Sequence, residues 1–341
     1  MRADGSTPDA GRPRTVLMCP GQGAYLPGAL RHLAGVPAVA EVLTAVDGHA
    51  PGGAGTASVG RLLTEPGAPA PEELLRADPL AFDLATYAAA VAAATVTLAL
   101  LPAPVDAVLG HSVGDLAALT VAGALTVRQG LQLLRIRDRL LTTAGLPAAG
   151  MAATDLTRAQ AADLIRACGT PQVRIAVHNA PAQVVLAGPD AQLGHVGRVA
   201  GDRGHRVTRL VSRTAYHHPL LDEVSRAFRS LLRAQPVAPP RIPVYATATG
   251  RRAGTPDRLR AMAAAHLTDS LPFHPALLAL DRAGFTTYVD SGPRALLATL
   301  AKAGLPHRTA VAPLRTPADT DRMHRRLTRV PPAGSAAEGP C

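Results

Sequence analysis

Gly110-His111-Ser112-Val113-Gly114 sits between an apolar run, Val105-Asp106-Ala107-Val108-Leu109, and a helix-forming run, Asp115-Leu116-Ala117-Ala118-Leu119. An apolar strand-like stretch, a glycine-framed corner and a helical run in immediate succession predict a strand that feeds a helix through a tight turn. The pattern Gly-x-Ser-x-Gly also has a chemical reading, because its glycines permit the crowded backbone that lifts a serine hydroxyl to the head of a helix. Alone, the pentapeptide fits an ordinary turn as well, so the role of Ser112 depends on what the rest of the chain brings to it.

Working outward, Arg14–Cys19 (RTVLMC) reads as a first strand running into Pro20-Gly21-Gln22-Gly23, a turn with enough glycine for close backbone approach. Helical stretches, the longest near Ala81–Leu101, separate it from the Val105–Leu109 strand, so strands alternate with helices and the class is α/β. Beyond the helix that ends near Gly123, Thr126 and Gln129 form one capping box and Thr157 and Gln160 a second. Between Met151 and Val211 the order β-α-β-β-α-β predicts an inserted ferredoxin-like unit. Strand signals return at Ile242–Ala246 and Thr286–Asp290, which makes the large unit discontinuous, expected over 14–146 and 212–315 around an insert at 147–211. The ends, 1–13 and 316–341, are rich in small residues, Pro and Gly; the first is expected to be a disordered tail and the second a mostly disordered extension.

The chain has 341 residues, 47% of them hydrophobic, enough for a large core. Leu84–Leu101 (LATYAAAVAAATVTLALL) approaches membrane-spanning length, but its eight alanines fit a buried central helix better, and no membrane association is expected. Cys19, Cys168 and Cys341 are odd in number and lack ligand spacing; no disulfide framework and no metal site is expected, and the compartment is the cytoplasm. The net charge of +10 comes almost wholly from arginine, yet aromatics are only 3%, so no nucleic acid is expected and the basic surface suits acidic partners.

A serine nucleophile needs a base, and His217 and His218 in Thr214-Ala215-Tyr216-His217-His218-Pro219 fall where the insert rejoins the large unit, the natural place for a cleft. The plain alternative is a surface histidine pair beside a proline. Arg137, among Leu133, Leu134, Ile136, Leu140 and Leu141, has its own plain alternative, a snorkelling side chain.

Taken together these segments resemble the malonyl-CoA:acyl carrier protein transacylase family and the acyltransferase domains of polyketide synthases. The resemblance runs over about residues 14–315: PGQG, GHSVGD, Arg137, Gly150-Met151-Ala152-Ala153, Asn179-Ala180-Pro181 with QVVLAG, AYHHPL, Pro243-Val244-Tyr245 with Thr249-Gly250, and Asp290-Ser291-Gly292-Pro293. It implies an α/β-hydrolase-like large subdomain with a parallel sheet plus an inserted ferredoxin-like small subdomain. It makes Ser112 the nucleophile and His217, rather than His218, the base. The imidazole is oriented in the family by a backbone carbonyl, and His266 in Ala265-His266-Leu267 is the matching position. Backbone amides of Gln22 and Val113 form the oxyanion hole, each such donor being worth about 3 kcal/mol in the transition state. Arg137 corresponds to the arginine that forks onto a malonyl carboxylate.

Tyr216 and Val113 resemble the malonyl-selecting type, although one carbon in an apolar pocket discriminates by only about 1–3 kcal/mol. The implied reaction moves an acyl group from malonyl-CoA to the phosphopantetheine thiol of an acyl carrier protein through an acyl-serine, in polyketide or fatty acid biosynthesis, with no cofactor. Rival readings are transfer of a larger acyl group between carrier proteins and an editing hydrolase on the same fold. Tyr25, His218, Asp115 and the pair Asp78-Pro79 depart from the family pattern; they weaken the reading as a housekeeping fatty-acid enzyme and leave room for a specialised, discrete polyketide acyltransferase.

Overall fold

Ten strands and their connecting helices follow from the apolar runs of the chain in a computed structural model that describes residues 13–48, 58–314, 316 and 318. The strands are β1 (Arg14–Cys19), β2 (Ala107–Gly110), β3 (Ala149–Thr154), β4 (Arg174–Ala180), β5 (Gln183–Pro189), β6 (Val207–Arg209), β7 (Val244–Ala246), β8 (Arg251–Arg252), β9 (Phe285–Asp290) and β10 (Thr309–Val311). They form two sheets. One has six strands in the order β10-β9-β1-β2-β7-β8, parallel except at the β7–β8 edge; the other has four in the order β4-β5-β3-β6, all antiparallel. The strand order β-α-β-β-α-β of the insert thus closes into the sheet that a split β-α-β arrangement gives.

The parallel sheet is buried because helices cover it, and its central strands are correspondingly apolar along their length. Val16, Leu17, Met18 and Cys19 of β1 and Ala107, Val108 and Leu109 of β2 are all inaccessible to solvent. The helix Pro79–Leu100 supplies much of the core: from Ala81 to Ala94 every residue is buried. It is long and apolar enough to cross a membrane, but its apolar window lies mostly inside the protein. Its start is set by Asp78, whose Oδ1 accepts the Ala81 amide hydrogen at 2.9 Å, with Pro79 at the first helical position. Asp83, which the sequence sets just outside the apolar run, is buried within this helix.

Both capping boxes form, Thr126 with Gln129 at the helix Val127–Thr143 and Thr157 with Gln160 at Arg158–Ala167. The edge strands β8 and β10 leave no signal in the sequence, since two or three residues carry no period to detect. Most of the expected N-terminal tail and C-terminal extension lies outside the described residues.

Candidate active site

Cys19 at the end of β1 and Gly110 at the end of β2 pair side by side, so the PGQG and GHSVG turns leave the sheet at the same edge. Two glycines let them touch. A β-carbon on Gly114 would lie 2.3 Å from the Cys19 carbonyl oxygen, and one on Gly21 would lie 2.6 Å from the His111 carbonyl oxygen. Ser112 takes a left-handed backbone, φ 58°, which a residue with a β-carbon adopts only when its surroundings force it, at about 1–3 kcal/mol. The forcing elements here are the end of β2 and the helix Gly114–Val121 that follows it.

The hydroxyl so presented is 2.8 Å from Nε2 of His217, a residue that also has φ 58°. Nδ1 of His217 donates to the backbone carbonyl of Asp269 at 2.7 Å. That contact corrects the expected orienter: the His266 carbonyl accepts the backbone N–H of His217 at 3.3 Å, and the ring is held three residues further on. The reason is local. The helix Pro256–Thr268 ends there, Asp269 turns to an extended conformation as its cap, and its carbonyl is released from the helical ladder. Its carboxylate takes no part, being paired with Arg229 at 3.0 Å on the outer side.

Burial pushes the His217 pKa down to about 4, the Asp269 carbonyl pulling the other way, so the imidazole is neutral and able to accept a proton at neutral pH. His218 is turned away from Ser112. Its Nε2 meets the Gln172 carbonyl at 2.7 Å and its Nδ1 accepts the Leu220 amide hydrogen, a purely structural role at the start of the turn Pro219–Leu221.

Gln22 opens a 3-10 turn and Val113 caps the helix Gly114–Val121; amides at such heads have no partner within their own helix. Among the backbone hydrogen bonds of the described residues neither amide is a donor. Both are therefore available to an oxyanion. His111 buttresses the turn from behind, with Nε2 2.8 Å from Oδ1 of Asn179 and its ring edge-to-face with Phe273. Burial lowers its pKa as well. Sequence reasoning marks neither His111 nor Asn179 as a site residue; the only signal is the Asn-Ala-Pro motif that contains Asn179.

Ser112, His217, Gln22 and Tyr216 line a cavity of about 350 Å³ between the two sheets. Met151, Ala153, Val177 and Val185 from the inserted sheet form its apolar wall, and Arg209 and the exposed Arg294 stand on its open side. Arg137 is not among the lining residues. The expected carboxylate fork is instead buried to 1% exposure beneath Tyr216, its guanidinium carbon 5.7 Å from the centre of that ring. Nη2 lies 2.5 Å from Oδ2 of Asp83 and Nη1 donates to Nε2 of His266 at 3.1 Å. Burial opposes the charge on Arg137, but Asp83, together with Tyr216 and Asp138, outweighs it and raises the pKa. Burial, with Arg137 alongside, drives His266 well below the ordinary histidine value, so it meets the guanidinium as a neutral acceptor.

A nucleophile-like serine, a neutral imidazole and two idle amides at one cavity are the parts of an acyl-transfer site. A family profile described as acyl transferase domain matches residues 17–334. The chain belongs to that acyl transferase family. This acyltransferase is 33% identical over 196 residues to polyketide synthase GfsA of Streptomyces halstedii, covering 57% of the chain and 3% of the relative. To the spectinabilin polyketide synthase system protein NorB of Streptomyces orinoci it is 30% identical over 286 residues, covering 83% of the chain and 13% of the relative. The acyltransferase thus spans only a small part of the length of these relatives.

Solved structures agree in fold. The acyl-carrier-protein S-malonyltransferase of Burkholderia pseudomallei superposes with a TM-score of 0.78 at 26% identity, over 92% of this chain and 99% of that one. The acyltransferase domain from the second module of the salinomycin polyketide synthase gives 0.74 at 26%, over 93% and 73%. The mixed architecture of a large α/β body and a small inserted sheet is common to them.

Proposed function

We propose that the enzyme moves an acyl group from a coenzyme A thioester to the phosphopantetheine thiol of an acyl carrier protein, through an ester on Ser112, in polyketide or fatty acid assembly in the cytoplasm. The observation that carries this reading is the chain of contacts Ser112 Oγ, His217 ring, Asp269 carbonyl at the edge of an open cavity. In the first half-reaction Ser112 Oγ bonds to the thioester carbonyl carbon as its proton passes to Nε2 of His217. The negative oxygen is received by the Gln22 and Val113 amides. Collapse breaks the carbon–sulfur bond, and the leaving thiolate takes the proton back from His217. The second half-reaction reverses these steps with the carrier thiol as nucleophile.

Relatives that are polyketide synthases, and the structural likeness to an acyl-carrier-protein S-malonyltransferase, support a carrier protein as acceptor. Arg209 and Arg294 on the open side of the cavity suit the phosphates of the donor and an acidic carrier. Arg137, the expected malonyl clamp, faces Asp83 and does not line the cavity, so acyl transfer is proposed without that clamp. Intact-protein mass spectrometry after incubation with acyl-CoAs tests the reading. An acyl adduct is expected on Ser112, discharged by holo carrier protein and absent from Ser112→Ala; an adduct that persists in Ser112→Ala would overturn it.

A further inference from the structure

Beneath the cavity wall lies a charged pair that the reaction does not use. Asp83 and Arg137 are 3% and 1% exposed, on the helices Pro79–Leu100 and Val127–Thr143, and their closest atoms are 2.5 Å apart. The pair makes a single close contact, Nη2 to Oδ2, rather than the two parallel hydrogen bonds of a bidentate fork. The third neighbour, His266, is uncharged and supplies a nitrogen acceptor to Nη1. The core cluster is therefore neutral as a whole.

We infer that Asp83 is a specificity-determining residue: by compensating Arg137 behind Tyr216 it removes the cation that a terminal carboxylate requires, so the enzyme carries uncharged acyl groups. The inference rests on the acyl-Ser112 reading and names its substrate class.

Four features argue for it. A carboxylate brought to Arg137 would form a second anion beside Asp83 in a site closed to water, and drawing Arg137 away would leave Asp83 buried without a counter-ion; both are unfavourable. Tyr216, whose ring stands between the cavity and the guanidinium, has a buried hydroxyl with no hydrogen-bond partner, and burial holds it neutral with its pKa pushed up to about 12. The wall that meets an acyl chain, Met151, Ala153, Val177 and Val185, is hydrocarbon and thioether. The cations that do line the cavity, Arg209 and Arg294, lie on its open side, and Arg209 is paired with Asp190 at 2.6 Å.

The acyl chain that fits is thus aliphatic and ends without charge. The covalent step is unchanged: the ester bond to Ser112 forms, the thioester bond breaks, and the serine proton leaves on the coenzyme A sulfur by way of His217.

The experiment is competitive loading of the full chain with equal butyryl-CoA and malonyl-CoA, read as initial rates of the two mass adducts. Wild type should load butyryl about tenfold faster or more. Asp83→Asn, which leaves Arg137 uncompensated, should raise the malonyl-to-butyryl ratio by about tenfold. If that variant does not fold, Asp83→Asn/Arg137→Gln removes both charges, and its ratio should stay within roughly twofold of wild type. Faster malonyl loading by wild type, or a selective loss of malonyl loading in the double variant, would overturn the inference while the acyl-serine reading stood. No adduct from either donor would defeat the acyl-serine reading and this inference with it.

Discussion

Nδ1 of His217 donates to the main-chain carbonyl of Asp269, not to a carboxylate. The tautomer that leaves Nε2 free for Ser112 is thereby fixed without a second buried charge. Because a carbonyl belongs to every residue, the side chain at this position is dispensable for orienting the ring. Asp269→Ala should lower the loading rate by no more than about threefold, whereas loss of an orienting carboxylate in a serine–histidine–aspartate site costs on the order of 10⁴. Initial rates of acyl-Ser112 formation in the two proteins check this; a collapse of the rate would show that the carboxylate matters.

The position of His217 fixes the acid limb of the reaction. Its pKa, pushed by burial to about 4 from an ordinary 6.5, keeps the imidazole proposed as base neutral across the usual working range. The loading rate should stay level as pH falls through 6.5 and drop only as it approaches 4. A limb centred near 6.5 in the single-turnover profile would contradict this.

Stability should follow the same residue in a separate window. Between about 6.5 and 4 the unfolded chain takes up a proton on His217 that the native state refuses, so stability is complete above 6.5 and declines as pH falls towards 4. His111 and His266, also lowered by burial, act in the same direction. At about 1.4 kcal/mol per unit, the His217 shift alone amounts to roughly 3 kcal/mol. Denaturant midpoints at about pH 7 and pH 5 should differ in that sense, and equal midpoints would count against it.

Gly114 is where the two turns meet most closely. In Gly114→Ala the new methyl must push against the Cys19 and Pro20 carbonyls at 2.3 and 2.7 Å, both of them backbone. Overpacking of this kind costs about 1–3 kcal/mol, and a shift of the Val113 amide should slow loading by about 10²-fold. A melting curve and a loading assay on one sample separate the two effects; a rate within about twofold of wild type would mean the turns are not held in register by this contact.

Tyr216 closes the cavity toward the buried pair, so Tyr216→Ala should extend the space for an acyl chain. Hexanoyl-CoA should gain on butyryl-CoA by about 10–100-fold, the range one or two added carbons can discriminate. The competitive loading ratio reports it directly, and an unchanged ratio would place the chain elsewhere in the cavity.

What is legible in the sequence is local. The GHSVG corner, the capping boxes at Thr126 and Thr157 and the strand order of the insert depend on neighbours within a few residues, and all appear in the fold. His217 is preferred over His218 because of its place before the His-Pro step, and the geometry turns only His217 to Ser112. Asp269 leaves no signal, since a carbonyl is not written in side-chain type. Asp83 looks like the polar flank of an apolar run, and only the packing of two helices reveals that it faces Arg137 in the core. Arg137 stands out along the chain while its true partner does not, for the same reason: spacing in sequence does not say what lies across an interior.

The cavity draws its working parts from two different bodies. Hydroxyl and amides come from loops at the edge of the parallel sheet, whereas much of the apolar wall of the cavity belongs to the antiparallel insert. Machinery and mould are therefore separable by inheritance: residues such as Met151 or Val185 can be exchanged to reshape the cavity while the residues proposed to forge and cleave an ester are left as they were.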